Sequence, residues 1–267
     1  MKVYANGEMV DRQSLKEIFE PGFLFGWGVF EPLRAYQGKI PFLDDHLSRL
    51  HNSCRLVGLT VPKIDWPNEV DLVLKENKLS NAYLRITVYK KRKNEGALIY
   101  ADDFKYYASD AYENGFSAVE SSLKRDENDI SCRVKTISYL NNRMAWAQAQ
   151  EKGKDEALMV NLQGNLAGGS RSNLFILKGN TAITPALSQG AFCGITRLKV
   201  IKILQDLNYK VQETKITAKD LLKADEAFLT SALLEVMPLV ACNADLIGKG
   251  APGETAVLAR KEYQKLL

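Results

Sequence analysis

Short apolar runs broken by turn residues dominate this chain, and a chain patterned in that way has to fold around sheets rather than as a bundle of helices. The first run, Val3-Tyr4-Ala5, meets Asn6-Gly7 and resumes at Met9-Val10, which predicts a hairpin on a two-residue turn. Residues 22–31 form a glycine-punctuated loop feeding a strand that continues through Leu33, Ala35 and Tyr36. Gly38 then turns the chain into a short strand at residues 40–43. Residues 82–89 and 97–107 alternate or run apolar as sheet strands do. Further strand-like runs fall at residues 116–119, 130–134, 157–161, 174–177, 181–184, 211–213, 226–230 and 236–240.

Three stretches read as helices instead. One begins near Asp44 and stops at Gly58, well placed as a left-handed stop, with Leu47, Leu50, Cys54 and Val57 on its apolar side. His46, Arg49 and Ser53 form an adjacent stripe on it. The second covers residues 139–152 and ends at Gly153; the third covers residues 195–207, with Leu198, Ile201 and Leu204 at helical spacing. The pattern predicts an α+β chain with a mainly antiparallel sheet in its first half. A second pattern begins at about residue 111, so the expected division is a domain over residues 1–110 and another over residues 111–267, with a cleft between them.

Composition removes several functions. Lysine and arginine number 36 against 32 acidic residues, a net charge of +4, too mild for a nucleic-acid-binding stripe. Lys90-Lys91-Arg92-Lys93, the densest basic run, reads as a solvated turn between strands. Cys54, Cys132, Cys193 and Cys242 are far apart with no paired spacing, which argues against a metal site and against a disulfide framework. The N-terminus lacks the apolar run of a signal peptide, and no eighteen consecutive residues are apolar, so a reducing cytoplasm is the expected setting.

Few residues stand out for chemistry. Gly190-Ala-Phe-Cys-Gly194-Ile195-Thr196-Arg197 is a glycine-bracketed loop leading into a helix. Free N–H groups and the positive end of the helix dipole make such a place a phosphate seat, although an ordinary turn has the same pattern. Lys135 lies where an alternating run ends and a helix begins. Burial there would lower its pKa and make its amine a nucleophile toward an aldehyde, while a surface lysine fits the pattern as well. Arg49 sits beside an apolar helix face, and Asp45, four residues earlier, offers it an intrahelical ion pair. His46 and His51 have no Gly-x-Ser-x-Gly elbow to work with, and no Gly-x-Gly-x-x-Gly follows a strand. Gly169-Ser-Arg-Ser-Asn173 reads as a loop.

Together the motifs resemble the class IV aminotransferase family, which includes branched-chain aminotransferases, D-amino-acid aminotransferases and aminodeoxychorismate lyase. The similarity runs in order through Gly22-Phe-Leu-Phe-Gly-Trp-Gly-Val-Phe-Glu31, Phe42-Leu-Asp-Asp-His-Leu-Ser-Arg-Leu-His-Asn-Ser53 and Lys135-Thr-Ile-Ser-Tyr-Leu-Asn-Asn142. It continues through Asp155-Glu-Ala157, Gly169-Ser-Arg-Ser-Asn-Leu-Phe175, Thr184-Pro185, Gly194-Ile-Thr-Arg197, Ala224-Asp-Glu-Ala-Phe-Leu-Thr230 and Glu235-Val-Met-Pro238. The resemblance implies a two-domain fold-type IV architecture, like that of D-amino-acid aminotransferase. A smaller N-terminal α/β sandwich would join a larger, β-barrel-like C-terminal domain with helices, usually as a homodimer. It also implies pyridoxal 5'-phosphate as cofactor, joined to Lys135 as an aldimine, and an amino acid and a 2-oxo acid as the small-molecule partners. Arg49, Ile195 and Thr196 would hold the phosphate, Tyr139 the phenolic oxygen, and the amides at Ala232 and Leu233 the substrate carboxylate. Phe25, Trp27, Phe30, Tyr36, Tyr89 and Lys90 are the candidates to meet the substrate, and packing is an equal reading of any one of these aromatics.

Three positions depart from the family pattern. Counting back from Asn173 puts Gly168 where relatives carry the glutamate that sits against the pyridine nitrogen. A charge-assisted hydrogen bond is worth about 1.5–3 kcal/mol, so its loss implies a step about ten- to hundredfold slower. Ala232 replaces a phosphate-binding threonine of many aminotransferases; Ser231-Ala232-Leu233 is closer to the lyases. Lys90-Lys91 stands where D-amino-acid aminotransferases tend to show a carboxylate-binding arginine. The sequence therefore supports an aminotransferase first, then a lyase-like elimination releasing pyruvate and 4-aminobenzoate, then a weakened homologue that binds the cofactor or a phosphorylated metabolite without turnover.

Overall fold

The computed structural model describes residues 1–105, 107 and 109–267. It opens with an antiparallel hairpin of β1 (Lys2–Ala5) and β2 (Glu8–Asp11), joined by Asn6 and Gly7 at φ 51° and 95°. Two successive positive φ values suit a right-twisted two-residue hairpin, and Asn-Gly is the pair that tolerates them. A short helix, α1 (Pro21–Phe25), ends on Gly26 in the left-handed region and delivers the chain to β3 (Gly28–Ala35).

Next come α2 (Leu43–Leu56), α3 (Trp66–Glu76), β4 (Ala82–Lys90) and β5 (Glu95–Asp103). Strands β3, β4 and β5 make a three-stranded antiparallel sheet with β4 in the middle. Leu47, Leu50 and Cys54 from α2, with Trp66, Val70 and Leu74 from α3, pack with Val29, Leu33, Leu84 and Ile86 of the sheet in one core. The expected strand at residues 40–43 does not form. Only the bridge between Tyr36 and Lys39 is made, Phe42 turns at φ 59°, and α2 starts at Leu43. Asp44 and Asp45 in its first turn favour that start through the helix dipole. Helix α3 is absent from the helices that the apolar pattern predicts, yet its signals are local: Pro67 in the first turn and an Asp65 carboxylate accepting from the Asn68 N–H.

The remaining elements are α4 (Ser109–Asn114), β6 (Phe116–Arg125), α5 (Leu140–Glu151), β7 (Glu156–Asn161), β8 (Leu166–Gly169), β9 (Asn173–Lys178), β10 (Thr181–Pro185), α6 (Ile195–Asp206), β11 (Lys210–Thr214), α7 (Ala218–Leu222), β12 (Glu226–Ser231), β13 (Glu235–Cys242), β14 (Asp245–Leu246) and α8 (Glu254–Gln264). Residues 130–134 are not a strand: Ile130–Cys132 is a single 3-10 turn, capped where Asp129 accepts from the Ser131 N–H. Nine strands form one sheet in the order β11-β10-β9-β12-β13-β6-β7-β8, with β14 on β13. Only Ser170, Arg171 and Ser172 separate β8 from β9 along the chain, although four strands lie between them in the sheet. In a flat sheet that gap is about 24 Å, at about 4.8 Å per strand. The link spans about 15 Å at most. The sheet must therefore curl into a half-barrel, and the Ser170–Ser172 link is where its ends approach each other.

Helix α5 covers β6 and β7 through Ala145 and Ala149 against Val119, Ala157 and Met159. On the other flank α6 and α8 bury Val200, Leu204, Ala256 and Ala259 against Phe175, Leu177 and Phe228. Small alanines give α8 little periodic signal, which is why the sequence pattern does not reveal it. Phe175 and Phe228 are cross-strand neighbours whose fully buried rings stack 5.0 Å apart. Replacing Phe228 with alanine should cost about 3–5 kcal/mol, the usual penalty for emptying a buried aromatic site. A urea denaturation midpoint that falls accordingly, with the native far-ultraviolet dichroism kept in buffer, is the expected result.

Candidate active site

The backbone of β3 fixes the position of Lys135. The Phe30 N–H donates to the Lys135 carbonyl (2.7 Å), the Ile137 N–H donates to the Gly28 carbonyl (3.0 Å), and Val29 bridges to Thr136. This clasp ties the segment before α5 to the small sheet and leaves the lysine side chain on the wall of a cavity of about 350 Å³. Its ammonium lies 4.5 Å from the Phe192 ring centroid and 5.7 Å from that of Phe30. Burial, reinforced by the nearby Arg49 charge and opposed by Glu31, pushes the Lys135 pKa down to about 8.

Arg49 reaches the same cavity from α2. Its Nε and Nη2 donate to the two oxygens of Glu31, each at 2.8 Å, and its Nη1 donates to the Cys193 carbonyl at 3.0 Å. His46, one turn earlier, places Nδ1 2.8 Å from the same carboxylate. Glu31 on β3 is fully buried. Burial alone would raise its pKa, but the Arg49 charge and the hydrogen bonds from His46 and Arg49 hold it below the ordinary glutamate value. The intrahelical pair with Asp45 is not made: Asp45 pairs with Lys199 at 2.8 Å.

Beside Arg49, next to the Cys193 carbonyl it holds, stands the start of α6. Gly194 is its N-cap with no side-chain cap, so the first N–H groups, at Ile195 and Thr196, have no intrahelical acceptor. Glycine at 194 leaves room for the Asn173 side-chain oxygen, which a Cβ there would displace. The Thr230 hydroxyl, buried near the end of β12 and also lining the cavity, has no hydrogen-bond partner among the described residues. Free helix amides, an orphaned hydroxyl and a guanidinium at one end of a cavity are the donor set for a phosphate.

Tyr139 caps α5 and lines the cavity; its O–H donates to the Ser170 carbonyl at 2.8 Å, and burial pushes its phenol up to about 12. Phe30 meets its ring edge-on at 5.4 Å. Ala232 and Leu233, in the turn between β12 and β13, line the cavity too. Gly168 lies just behind the wall, which Gly169 forms. Its φ of +125° is a backbone state that side-chain-bearing residues rarely adopt, so a glutamate there would be strained.

Five of the expected substrate contacts lie off this cavity. Phe25 is 74% exposed on α1, and the Trp27 indole donates to the Val57 carbonyl. Tyr89 donates to Glu17 at 2.8 Å, and Lys90 pairs with Glu95 at 3.0 Å. Tyr36 turns its hydroxyl to Glu235. Arg85, Arg125, Arg143 and Arg171 also line the cavity; no sequence signal singles them out, because they come from four separate segments that only the fold assembles. Among the described residues no aspartate or glutamate lines it. Such one-signed walls attract a polyanion.

Comparison with known proteins agrees with this arrangement. The family model described as amino-transferase class IV matches residues 28–242. The branched-chain-amino-acid aminotransferase of Pseudomonas aeruginosa is 31% identical over 286 residues, covering 99% of this chain and 92% of its own. The aminodeoxychorismate lyase of Bacillus subtilis is 28% identical over 283 residues, covering 99% and 96%. Among solved structures, the branched-chain aminotransferase of the thermophilic archaeon Thermoproteus uzoniensis with norvaline superposes with a TM-score of 0.82 at 30% identity, covering 99% of this chain and 94% of that one.

Two outcomes follow from the electrostatics. The neutral fraction of Lys135 should rise through a midpoint near pH 8, so its rate of reductive methylation, followed by peptide mass spectrometry on cofactor-free protein, should level off about one unit above that. A rate still climbing at about pH 10 would contradict the depressed value. Glu31→Gln should destabilise the fold by about 3–5 kcal/mol near neutral pH by leaving Arg49 uncompensated. Because the folded Glu31 pKa is depressed, its contribution is present above the ordinary carboxylate range and lost as pH falls through the folded value. The gap between variant and parent in thermal melting should therefore narrow in acid.

Proposed function

The chain belongs to the class IV aminotransferases, and from that premise we propose how its residues move an amino group between an amino acid and a 2-oxo acid. The observation that carries the reading is the Lys135 amine, depressed to about 8, in one cavity with the open start of α6 and Arg49. Pyridoxal 5'-phosphate, when bound, supplies an aldehyde for that amine and an electron-withdrawing ring. Arg49, the Ile195 and Thr196 amides and the Thr230 hydroxyl would hold its phosphate, and the Tyr139 O–H, turned from the Ser170 carbonyl it meets in the free protein, would serve its phenolic oxygen. Lys135, largely neutral only above about pH 8, takes and returns the proton at the substrate's Cα. The Ala232 and Leu233 amides receive the substrate carboxylate, and Phe30 borders its side chain.

Residues 1–110 and 111–267 are proposed as the two domains that meet at the cavity. The chain is proposed to act as a homodimer. Exposed Phe23, Leu24, Phe25 and Trp27 (65%, 50%, 74% and 42%) near the N-terminus support this reading, as an apolar surface that would border a second copy's site. That would let Phe25 and Trp27 meet substrate in trans. Among the described residues no helix is long and apolar enough to cross a membrane. The cytoplasm, which keeps Cys54, Cys132, Cys193 and Cys242 as free thiols, is the proposed setting.

A lyase-like elimination is the second reading, favoured by Ala232 in its Ser231-Ala232-Leu233 context. It uses the same lysine, and the products separate the two. Protein incubated with pyridoxal 5'-phosphate should turn yellow, and borohydride should lock the cofactor onto the Lys135 peptide. Failure to take up cofactor at excess would overturn both readings. Bleaching to the pyridoxamine form by an L- or D-amino acid indicates transamination; pyruvate release from aminodeoxychorismate with the colour restored indicates the lyase. Lys135→Ala should slow the half-reaction by at least about 10²–10⁴-fold, the usual contribution of a positioned general base.

A further inference from the structure

The end of β8 is a double glycine, and its second member makes room for a carboxylate from the neighbouring strand. Glu156, the first residue of β7, is fully buried. Its Oε1 accepts from the Ala157 N–H (2.9 Å), the Ser170 N–H (3.2 Å) and the Ser170 hydroxyl; its Oε2 accepts from the Ser172 hydroxyl at 2.9 Å. A Cβ on Gly169 would stand 2.8 Å from that Oε2, so only glycine lets the carboxylate come this close to the loop. Gly169, Ser170 and Ser172 line the cavity, whereas Glu156 stays behind them.

This network adjoins the position of the missing family glutamate. A Cβ on Gly168 would lie 3.0 Å from the carbonyl oxygen of Ser172. A side chain starting at 168 would therefore begin against Ser172. The backbone at φ +125° is built for glycine, so the missing side chain at 168 is a feature of the local fold rather than a simple truncation. The other end of the loop is held as firmly, since the Ser170 carbonyl accepts from Tyr139 (2.8 Å) and from the Asn142 amide (2.6 Å).

A hydroxyl that donates its single proton to a carboxylate has only acceptor capacity left for any other neighbour. We propose that Ser172, backed by buried Glu156, replaces the carboxylate absent at 168 and accepts the N–H of a protonated cofactor ring nitrogen. The chain of hydrogen bonds runs from ring N–H to Ser172 Oγ, and from Ser172 O–H to Glu156 Oε2. Glu156 is a positioning residue that acts through the serine. This rests on the pyridoxal-phosphate reading above and removes the reason to regard the chain as weakened.

The test uses full-length protein loaded with pyridoxal 5'-phosphate labelled with ¹⁵N in the ring, read by the nitrogen chemical shift. The parent should resonate in the pyridinium range. Ser172→Ala should move the signal to the neutral pyridine range, and Ser172→Thr, which keeps the hydroxyl, should restore it. Glu156→Gln should also give the neutral signal, because the amide can donate to Ser172 and free its hydroxyl to donate to the ring. Gly168→Glu should destabilise the fold without moving the parent's signal further. If Glu156→Gln fails to fold, the two Ser172 variants decide the matter. A parent signal in the neutral range, or a Ser172→Ala signal unchanged from the parent, overturns the inference while leaving cofactor binding intact. Failure to load any cofactor instead removes the functional reading itself.

Discussion

One buried carboxylate, Glu31, holds the site together. It sits on the middle of β3, accepts both prongs of Arg49 from α2 and the ring nitrogen of His46, and is wholly out of water. Arg49 in turn donates to the Cys193 carbonyl, in the loop that becomes α6. A single residue thus links the small sheet, its covering helix and the helix terminus where a phosphate would sit. Burying such a pair is costly unless its geometry is good, and bidentate pairing meets that condition. Arg49 lines the cavity while its charge is already balanced.

The clasp between β3 and the Lys135 segment does the complementary work. Two backbone hydrogen bonds carry the small sheet's rigidity across to the residue before α5. The lysine then stands between the two sheets, where Phe30 and Phe192 exclude water from its amine and the Arg49 charge opposes protonation. Desolvation and like charge act in the same direction, and both depend on β3 being in place. Arg85, Arg125, Arg143 and Arg171 extend the positive field over the remaining walls. With no acidic side chain among the described residues facing them, a phosphate and a substrate carboxylate are the natural neutralising groups.

Curling of the large sheet explains why the third wall is built from serines and glycines. A three-residue link draws the ends of β8 and β9 together, and Gly168, Gly169 and Gly194 stand where Ser172, Glu156 and Asn173 approach. The same closeness lets a buried carboxylate lie directly behind the cavity surface. What looks in the order of motifs like a lost catalytic glutamate is, in three dimensions, a crowded junction with its own acid beneath it.

Much of this is readable in the sequence. The Asn6-Gly7 hairpin, the helix closed by Gly58, the helix that starts after Gly194 and the lysine before α5 all announce themselves, because turns, caps and periodic faces are set by residues close together along the chain. The ordered motifs carry the family and the fold, and they point to Lys135, Arg49 and Thr196, which the fold brings to one cavity. Other features depend on pairs far apart in sequence and leave no local trace. Residues 130–134 alternate like a strand but lack a partner to pair with, so they turn instead. Arg49 ignores Asp45 four residues away and chooses Glu31 across the core, since a buried bidentate partner outweighs an exposed neighbour. Phe25, Trp27, Tyr89 and Lys90 lie off the cavity because of the way α1 and the β4–β5 turn pack. Sequence alone determined which residues could do the chemistry; only the curled sheet and the buried Glu31 decided which of them meet, because long-range packing, not local propensity, sets those distances.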